Sequence, residues 1–291
     1  MAGRTYAEPL SVDEALAALA ELGPDAGIVA GGTDIVVGAR SGKKPLPQGL
    51  VAIHRLSELA GMANGSGLRL GALVTHGELE TSELVRSRWS ALSDAAALVG
   101  SPATRHVGTI GGNLCNASPA AETVSPLLVY GATASLRSAA GSRTLPVSEL
   151  ILGPAKTALA PGEILTEVSV PSLPVGSGSA YVRLEYRQTM EIAVVGAAAL
   201  VTLDDSGRVA DAKVALTAVA PTCVRASAVE EALRGAEPAA DALAVAAALA
   251  AEAARPIDDV RASAAYRSAM VPVIVRRALE RAVERARRAE G

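Results

Sequence analysis

The sequence predicts an α+β protein: a mixed N-terminal domain, then three antiparallel strands with helices. Three observations carry this. Short apolar runs alternate with amphipathic stretches as far as Pro171. A Pro/Gly/Ser-rich connector, Pro171-Ser172-Leu173-Pro174-Val175-Gly176-Ser177-Gly178-Ser179, then interrupts the pattern. Beyond it, Val194–Leu203 and Arg208–Val219 flank Asp204-Asp205-Ser206-Gly207, a hairpin-turn composition. The connector is the expected boundary between residues 1–173 and 178–291.

The elements follow in order. Ser11 with Glu14 three residues later forms a capping box ahead of Leu16, Leu19 and Leu22, so 11–22 reads as a helix that Gly23-Pro24 stops. Gly27–Val29 and Ile35–Val37 read as short buried strands on either side of a glycine pair. Pro45-Leu46-Pro47 is a loop, and Leu50–His54 and Leu68–Leu73 are further strands. Residues 75–84 read as a Thr-capped helix, and 87–99 as a second one that buries Trp89. A second glycine loop follows, then a helical pattern over Glu122–Tyr130 and a strand over Ala132–Leu136. After the connector, Ala180–Arg187 alternates as a strand does. The stretch 225–254 is Ala-rich and helical, broken at Gly235 and Pro238. The last helix, 263–289, contains Pro272, which predicts a boundary or kink. Its alternating Arg and Glu predict a solvated, ion-paired face.

Composition narrows the function classes. With 291 residues and 50% hydrophobic content the chain can bury a sizeable core, built from Ala, Val and Leu because Phe is absent. A net charge of −3 gives no basic excess for nucleic acid or an anionic membrane. The N-terminal residues lack the apolar segment of a secretory signal, and the apolar runs near 193–203 and 242–251 are too short to span a bilayer, so a soluble cytoplasmic protein is expected. Cys115 and Cys223 form no CxxC pair and cannot by themselves hold an iron–sulfur cluster. His54, His76 and His106 show no zinc spacing and are expected at the surface or locally hydrogen-bonded. Cys115 is expected to be a small buried apolar residue.

The chemistry-bearing features are two glycine loops. The first is Ala30-Gly31-Gly32-Thr33-Asp34; the second is Thr109-Ile110-Gly111-Gly112-Asn113. Each sets a Gly-Gly pair beside a hydroxyl residue and an Asn or Asp. Bare glycines let backbone N–H groups approach a ligand, and consecutive N–H groups form anion-binding concavities. Two such loops can clamp the halves of a dinucleotide. Neither the G-x-G-x-x-G of a Rossmann site nor a P-loop is present. A glycine pair also serves as a plain turn, and composition alone leaves the choice open.

Four stretches, 28–37, 104–131, 181–195 and 263–279, carry a family resemblance. They hold the two loops, the continuation Leu114-Cys115-Asn116-Ala117-Ser118-Pro119-Ala120-Ala121-Glu122, then Glu191-Ile192-Ala193-Val194-Val195, and Ser263-Ala264-Ala265-Tyr266-Arg267. In this order they resemble the FAD-binding medium subunit of the molybdenum hydroxylases, a family that includes the carbon monoxide dehydrogenase and xanthine dehydrogenase flavoproteins.

That resemblance implies a two-lobed FAD-binding domain of the vanillyl-alcohol-oxidase type (lobes about 1–54 and 55–173) and a C-terminal domain of a three-stranded antiparallel sheet with helices. It implies FAD extended between them, with Ala30–Asp34 and Thr109–Asn113 wrapping the pyrophosphate through their amides. Glu122 stands where the family usually has Asp; the resemblance implies a ribose contact, which the extra methylene puts in question. Leu165 resembles a position packed near the adenine or flavin, and Arg183 a basic position near the flavin. Arg187 and Glu191 match positions on a strand facing the isoalloxazine, and Tyr186 is a candidate cover for a flavin face.

The implied function is that of an electron-transfer subunit, with neither a catalytic acid–base residue nor a metal ligand in this chain. Electrons would pass from a small iron–sulfur subunit through FAD to NAD, a quinone or oxygen, beside a large molybdenum-cofactor subunit. Two alternatives stay open: a stand-alone FAD-dependent oxidoreductase acting directly on a small molecule, and a non-catalytic module of the same fold.

Overall fold

The computed structural model of the chain describes residues 4–42, 44–187 and 189–289. The first lobe holds a three-stranded parallel sheet of order β1-β3-β2: β1 (Thr5–Ala7), β2 (Gly27–Val29) and β3 (Gly49–Ala52). Helix α1 (Val12–Leu22) is capped by the Ser11 side chain, which accepts from the Glu14 amide, while Glu14 accepts from the Leu10 amide. Its Val12, Ala15, Leu16 and Leu19 pack into a small core with Val51, Ile53, Leu56 and Leu59.

Residues 33–40 depart from expectation. Ile35–Val37, expected as a strand, lies inside helix α2 (Thr33–Arg40). A three-residue apolar run has no period of its own. Gly32, at φ +71, turns the chain into a helix at this point.

The second lobe is built on a five-stranded sheet, β4-β5-β10-β6-β7: β4 (Met62–Asn64), β5 (Gly67–Gly71), β6 (Thr133–Ser138), β7 (Gly141–Pro146) and β10 (Ile164–Pro171). The small pair β8 (Ile151–Gly153) and β9 (Lys156–Thr157) lies apart. β10 is central, pairing antiparallel with both β5 and β6. The expected helix at 75–84 is divided into α3 (His76–Thr81) and α4 (Glu83–Arg88), because Ser82 is extended and its side chain caps α4. α5 (Ser90–Ala97) is shorter than the expected 87–99. Trp89 sits at the α4–α5 junction, fully buried, and donates from Nε1 to the Pro171 carbonyl. α6 (Pro102–Arg105), α7 (Ile110–Asn116), α8 (Val124–Tyr130) and α9 (Val147–Leu150) complete the lobe. The second glycine pair is therefore the first turn of a helix rather than a loop.

The third unit is an antiparallel sheet, β11 (Ser177–Leu184), β12 (Val195–Leu203), β13 (Val209–Thr217) and the two-residue β14 (Val224–Arg225). The β12 run is buried on both faces, and its alternation divides the core. Ala197, Ala199 and Val201 meet the helices α10 (Ser227–Leu233), α11 (Ala240–Ala248) and α12 (Ala264–Ala289), while Ala198 and Leu200 meet the second lobe. Helix α12 lies so close to β11 that a Cβ on Gly178 would sit 2.2 Å from the Ala286 nitrogen.

Pro272 interrupts nothing. α12 runs through it as one 26-residue helix. The proline penalty is about 3 kcal/mol, while Val271, Ile274, Val275, Ala278, Leu279, Ala282, Val283 and Ala286 all bury one stripe against the sheet. The summed burial is the larger quantity. On the exposed side, Arg276–Glu280 and Glu284–Arg288 pair at i,i+4. No helix among the described residues is long and apolar enough to cross a membrane.

Candidate functional site

A cleft of about 1200 Å³ opens where the lobes meet, large enough for a dinucleotide. Its floor is the contact between the two glycine segments. Gly31 lies against the second segment so tightly that a Cβ there would fall 1.7 Å from the Val107 carbonyl oxygen. The Thr75 backbone bridges to Thr109, and the His76 amide donates to the Gly108 carbonyl, 3.0 Å.

The two glycine segments do different things. Among the described residues, the amides of Gly31, Gly32, Thr33, Asp34 and Ile35 donate to no protein acceptor. Gly32 as N-cap offers no side chain to use them. Five consecutive free donors at the positive end of a helix form an anion site. In the second segment the donors are already committed. Ile110 donates to the Val74 carbonyl and Gly111 to that of Ala72; Gly112 donates to the Thr109 hydroxyl and Asn113 to the Thr109 carbonyl. This segment contributes shape and a side chain. A Cβ on Gly111 would meet Ala72 O at 2.7 Å. The Asn113 Oδ1 accepts from Thr123, leaving its amide NH₂ as a donor with no protein acceptor among the described residues.

Ala30, Gly31, Gly32, Thr33, Asp34, Thr109, Gly111, Gly112, Asn113, Glu122 and Leu165 all line the cleft. Two expected residues do not. Ile110 is fully buried in the second-lobe core, and Arg183 stands behind the wall. Arg183 Nη1 donates to Glu122 Oε1 (2.6 Å) and to the Leu98 carbonyl (2.8 Å), and its Nε donates to Glu185 (2.5 Å). Tyr181 donates to the other Glu122 oxygen. The longer Glu122 side chain thus reaches two protein donors. Burial pushes its carboxyl above the usual carboxylate range, with Arg183 pulling the other way. Asp34, in the first turn of α2, is also raised by burial, against the opposing pull of Lys44.

Of the remaining candidates, Glu191 lines the cleft. Arg187 is exposed, donates to the Met190 carbonyl and pairs with Glu191 at 3.4 Å. Tyr186 does not line the cleft; it is exposed and donates to the Arg261 carbonyl. Cys115, expected to be buried, is exposed to the cleft. The helical register of α7 turns Ile110 and Leu114 into the core and leaves Cys115 on the open side. His54 and His106 are at the surface, as expected.

His76 is the residue that sequence reasoning missed. It is 2% exposed and lines the cleft beside Gly108. The sequence marked it only as the first residue after the Thr75 cap; the Thr75–Thr109 bridge and the bond from its amide to the Gly108 carbonyl, both tertiary, turn it to the second glycine segment. Burial, with the Arg105 guanidinium nearby, lowers its pKa from 6.5 to about 4. Between those pH values the unfolded chain holds a proton on this imidazole and the folded chain does not, so acidification favours the unfolded chain. The His76 contribution to stability is expected to fall by roughly 3 kcal/mol on going from pH 6.5 to 4. Denaturant titrations of the wild type and His76→Phe across that range check it. A gap between the two that does not change with pH refutes it.

The FAD binding domain in molybdopterin dehydrogenase matches residues 2–173, and the CO dehydrogenase flavoprotein C-terminal domain matches residues 180–282. The 6-hydroxypseudooxynicotine dehydrogenase complex subunit alpha of Paenarthrobacter nicotinovorans is 36% identical, covering 95% of this chain and 93% of its own. The carbon monoxide dehydrogenase medium chain of Hydrogenophaga pseudoflava is 34% identical, covering 95% and 96%. Among solved structures, carbon monoxide dehydrogenase from Hydrogenophaga pseudoflava superposes with a TM-score of 0.92 at 34% identity over 97% of this chain and 98% of that one. Quinoline 2-oxidoreductase from Pseudomonas putida 86 superposes with 0.90 at 30% identity over 99% of both.

Proposed function

Because the chain belongs to the FAD-binding subunits of the molybdenum hydroxylase family, we propose that it is the electron-transfer subunit of a multi-subunit molybdenum-cofactor hydroxylase. Its cofactor is FAD, and it is a subunit of an oxidoreductase. FAD supplies reversible one- and two-electron chemistry when bound. The chain's own residues bind and orient it.

The observation that carries the reading is the run of five unpartnered amides, Gly31 to Ile35, opening into a dinucleotide-sized cleft. Those donors match a diphosphate, which carries negative charge and accepts several hydrogen bonds at once. The Asn113 amide NH₂ adds a neutral donor from the second lobe. Ala30, Thr109, Gly111, Gly112 and Leu165 form the wall. Glu122 is the acceptor for a ribose-type hydroxyl, held in place by Tyr181 and Arg183. Arg183 acts as a positioning residue from behind, and Ile110 holds the first turn of α7 from the core.

In this reading residues 1–173 bind FAD and 178–291 close the cleft from the other side through Met190, Glu191 and Ile192. The relatives bearing the names medium chain and complex subunit support a division of labour in which a small iron–sulfur subunit and a large molybdenum-cofactor subunit are separate chains. The electron acceptor would be NAD, a quinone or oxygen. Two free cysteines fit a reducing cytoplasm.

Purification from its native host tests this. The expected result is a yellow protein with about one FAD per chain, co-eluting with two further chains that carry iron and molybdenum. Recovery of this chain alone, with FAD bound and small-molecule turnover, would replace the proposal with that of a stand-alone flavoenzyme. A preparation that takes up no FAD would overturn both.

A further inference from the structure

His76 stands at the joint between the two glycine segments, and its ring makes no hydrogen bond among the described residues. The side chain is 2% exposed, and Nδ1 is buried without a hydrogen-bond partner among the described residues. Buried polar atoms are nearly always paired, and an enclosed Nδ1 without a partner is least costly when it carries no proton, which places the ring hydrogen on Nε2. The ring lies beside Gly108: a Cβ built there would be 3.3 Å from the His76 Cδ2 and 3.7 Å from the Thr33 hydroxyl. The imidazole and the first turn of α2 therefore flank the same point. The charged group facing the ring is Arg105, itself held by Glu80 at 2.6 Å.

A cation here would meet Arg105, so the ring is neutral and carries a single N–H. On Nδ1 that hydrogen would be a buried donor with no acceptor, the costlier kind of orphan. On Nε2 it lies on the edge left to face the cleft, since Nδ1 is enclosed.

We propose that His76 is an anion-binding residue of the cleft, its Nε2–H donating to the diphosphate of the bound dinucleotide alongside the α2 amides. The inference rests on the FAD reading and goes beyond it in assigning a further donor, a side chain from a different strand–helix junction. A neutral donor suits this position because α2 already supplies the positive potential and the ring must sit near a guanidinium.

The test is a titration of apo-protein with FAD and with riboflavin, which lacks the diphosphate. Two variants are compared: His76→Phe keeps volume and removes the donor, while His76→Gln keeps an N–H near the Nε2 position. The expected result is that His76→Phe binds FAD roughly tenfold to hundredfold more weakly. His76→Gln should stay within a few-fold of wild type, and riboflavin affinity should be the same in all three. Equal losses in Phe and Gln variants, unchanged FAD affinity in His76→Phe, or an equal loss for riboflavin would each overturn the assignment. If the wild type binds no FAD, the parent reading fails instead, and that outcome is distinct from the others. Should His76→Phe not fold, nitrogen NMR of the wild type decides. The proposal requires the Nε2–H tautomer and a shift of the His76 resonances on adding ADP; resonances that do not move refute it.

Discussion

Gly31→Ala is expected to strip the chain of FAD. The new Cβ would fall 1.7 Å from the Val107 oxygen, 2.6 Å from its carbonyl carbon and 3.2 Å from the Gly108 nitrogen. All three are backbone atoms, so no rotamer change relieves the contact. The two lobes must separate at their joint by more than an ångström. That displaces the amide run relative to the Asn113 side of the cleft. Losing two or three charge-assisted hydrogen bonds weakens binding on the order of a hundredfold or more. Gly32→Ala is the informative control. Gly32 has φ +71, yet its Cβ would meet only side-chain carbons of Val29 and Val36 at 3.6 Å and 3.8 Å. That substitution incurs backbone strain of about 1–2 kcal/mol and leaves the joint closed. Flavin content after reconstitution and FAD titration separate the two. A Gly31→Ala chain retaining FAD as well as Gly32→Ala would show that the loop contact does not shape the site.

Arg183→Met is expected to produce the largest loss of stability. The Arg183 and Glu122 side chains are 1% and 6% exposed. Removing the guanidinium leaves a buried carboxylate facing the Leu98 and Glu191 carbonyls that Arg183 had bonded. Breaking one partner of such a pair costs about 3–5 kcal/mol. For a chain of this size that corresponds to a fall in melting temperature on the order of 10 °C. The double variant Arg183→Met/Glu122→Met removes the stranded charge and should recover much of the loss. Calorimetry on the three proteins tests this. A double variant no more stable than Arg183→Met alone would mean that packing, rather than the uncompensated carboxylate, sets the cost.

Much of the site was legible because it consists of residue types with few alternative uses. A Gly-Gly pair beside Thr and Asp has little to offer a core, and the wall does form from Ala30 to Asp34 and around Thr109 to Asn113. The C-terminal strands were legible through the Asp204–Gly207 turn, whose Asp204 side chain accepts from the Ser206 and Arg208 amides. The central strand β10 was not read as an element, because Thr166, Glu167 and Ser169 break its apolar pattern. Two of them find partners across the sheet, Thr166 donating to the Ser135 carbonyl and Glu167 accepting from Arg69 at 2.5 Å, and Ser169 donates to Glu167 on its own strand.

The amino-acid sequence by itself determined which backbone could come close to a ligand, since only glycine permits the Gly31–Val107 approach and glycine takes the Gly32 dihedral without strain. It also determined where chains turn and which helix stripes are apolar. Tertiary structure alone decided which amides stay available. Both glycine segments look equivalent as text, but β5 and the residues after it bring the Ala72 and Val74 carbonyls to Gly111 and Ile110, and among the described residues no acceptor comes to the amides of Gly31–Ile35. It likewise took Arg183 out of the cleft, put Tyr181 against Glu122, and carried α12 through Pro272. The physical reason is common to all four. A donor is consumed or spared, and a penalty outweighed or not, by groups distant in sequence that only the packed chain brings within bonding distance.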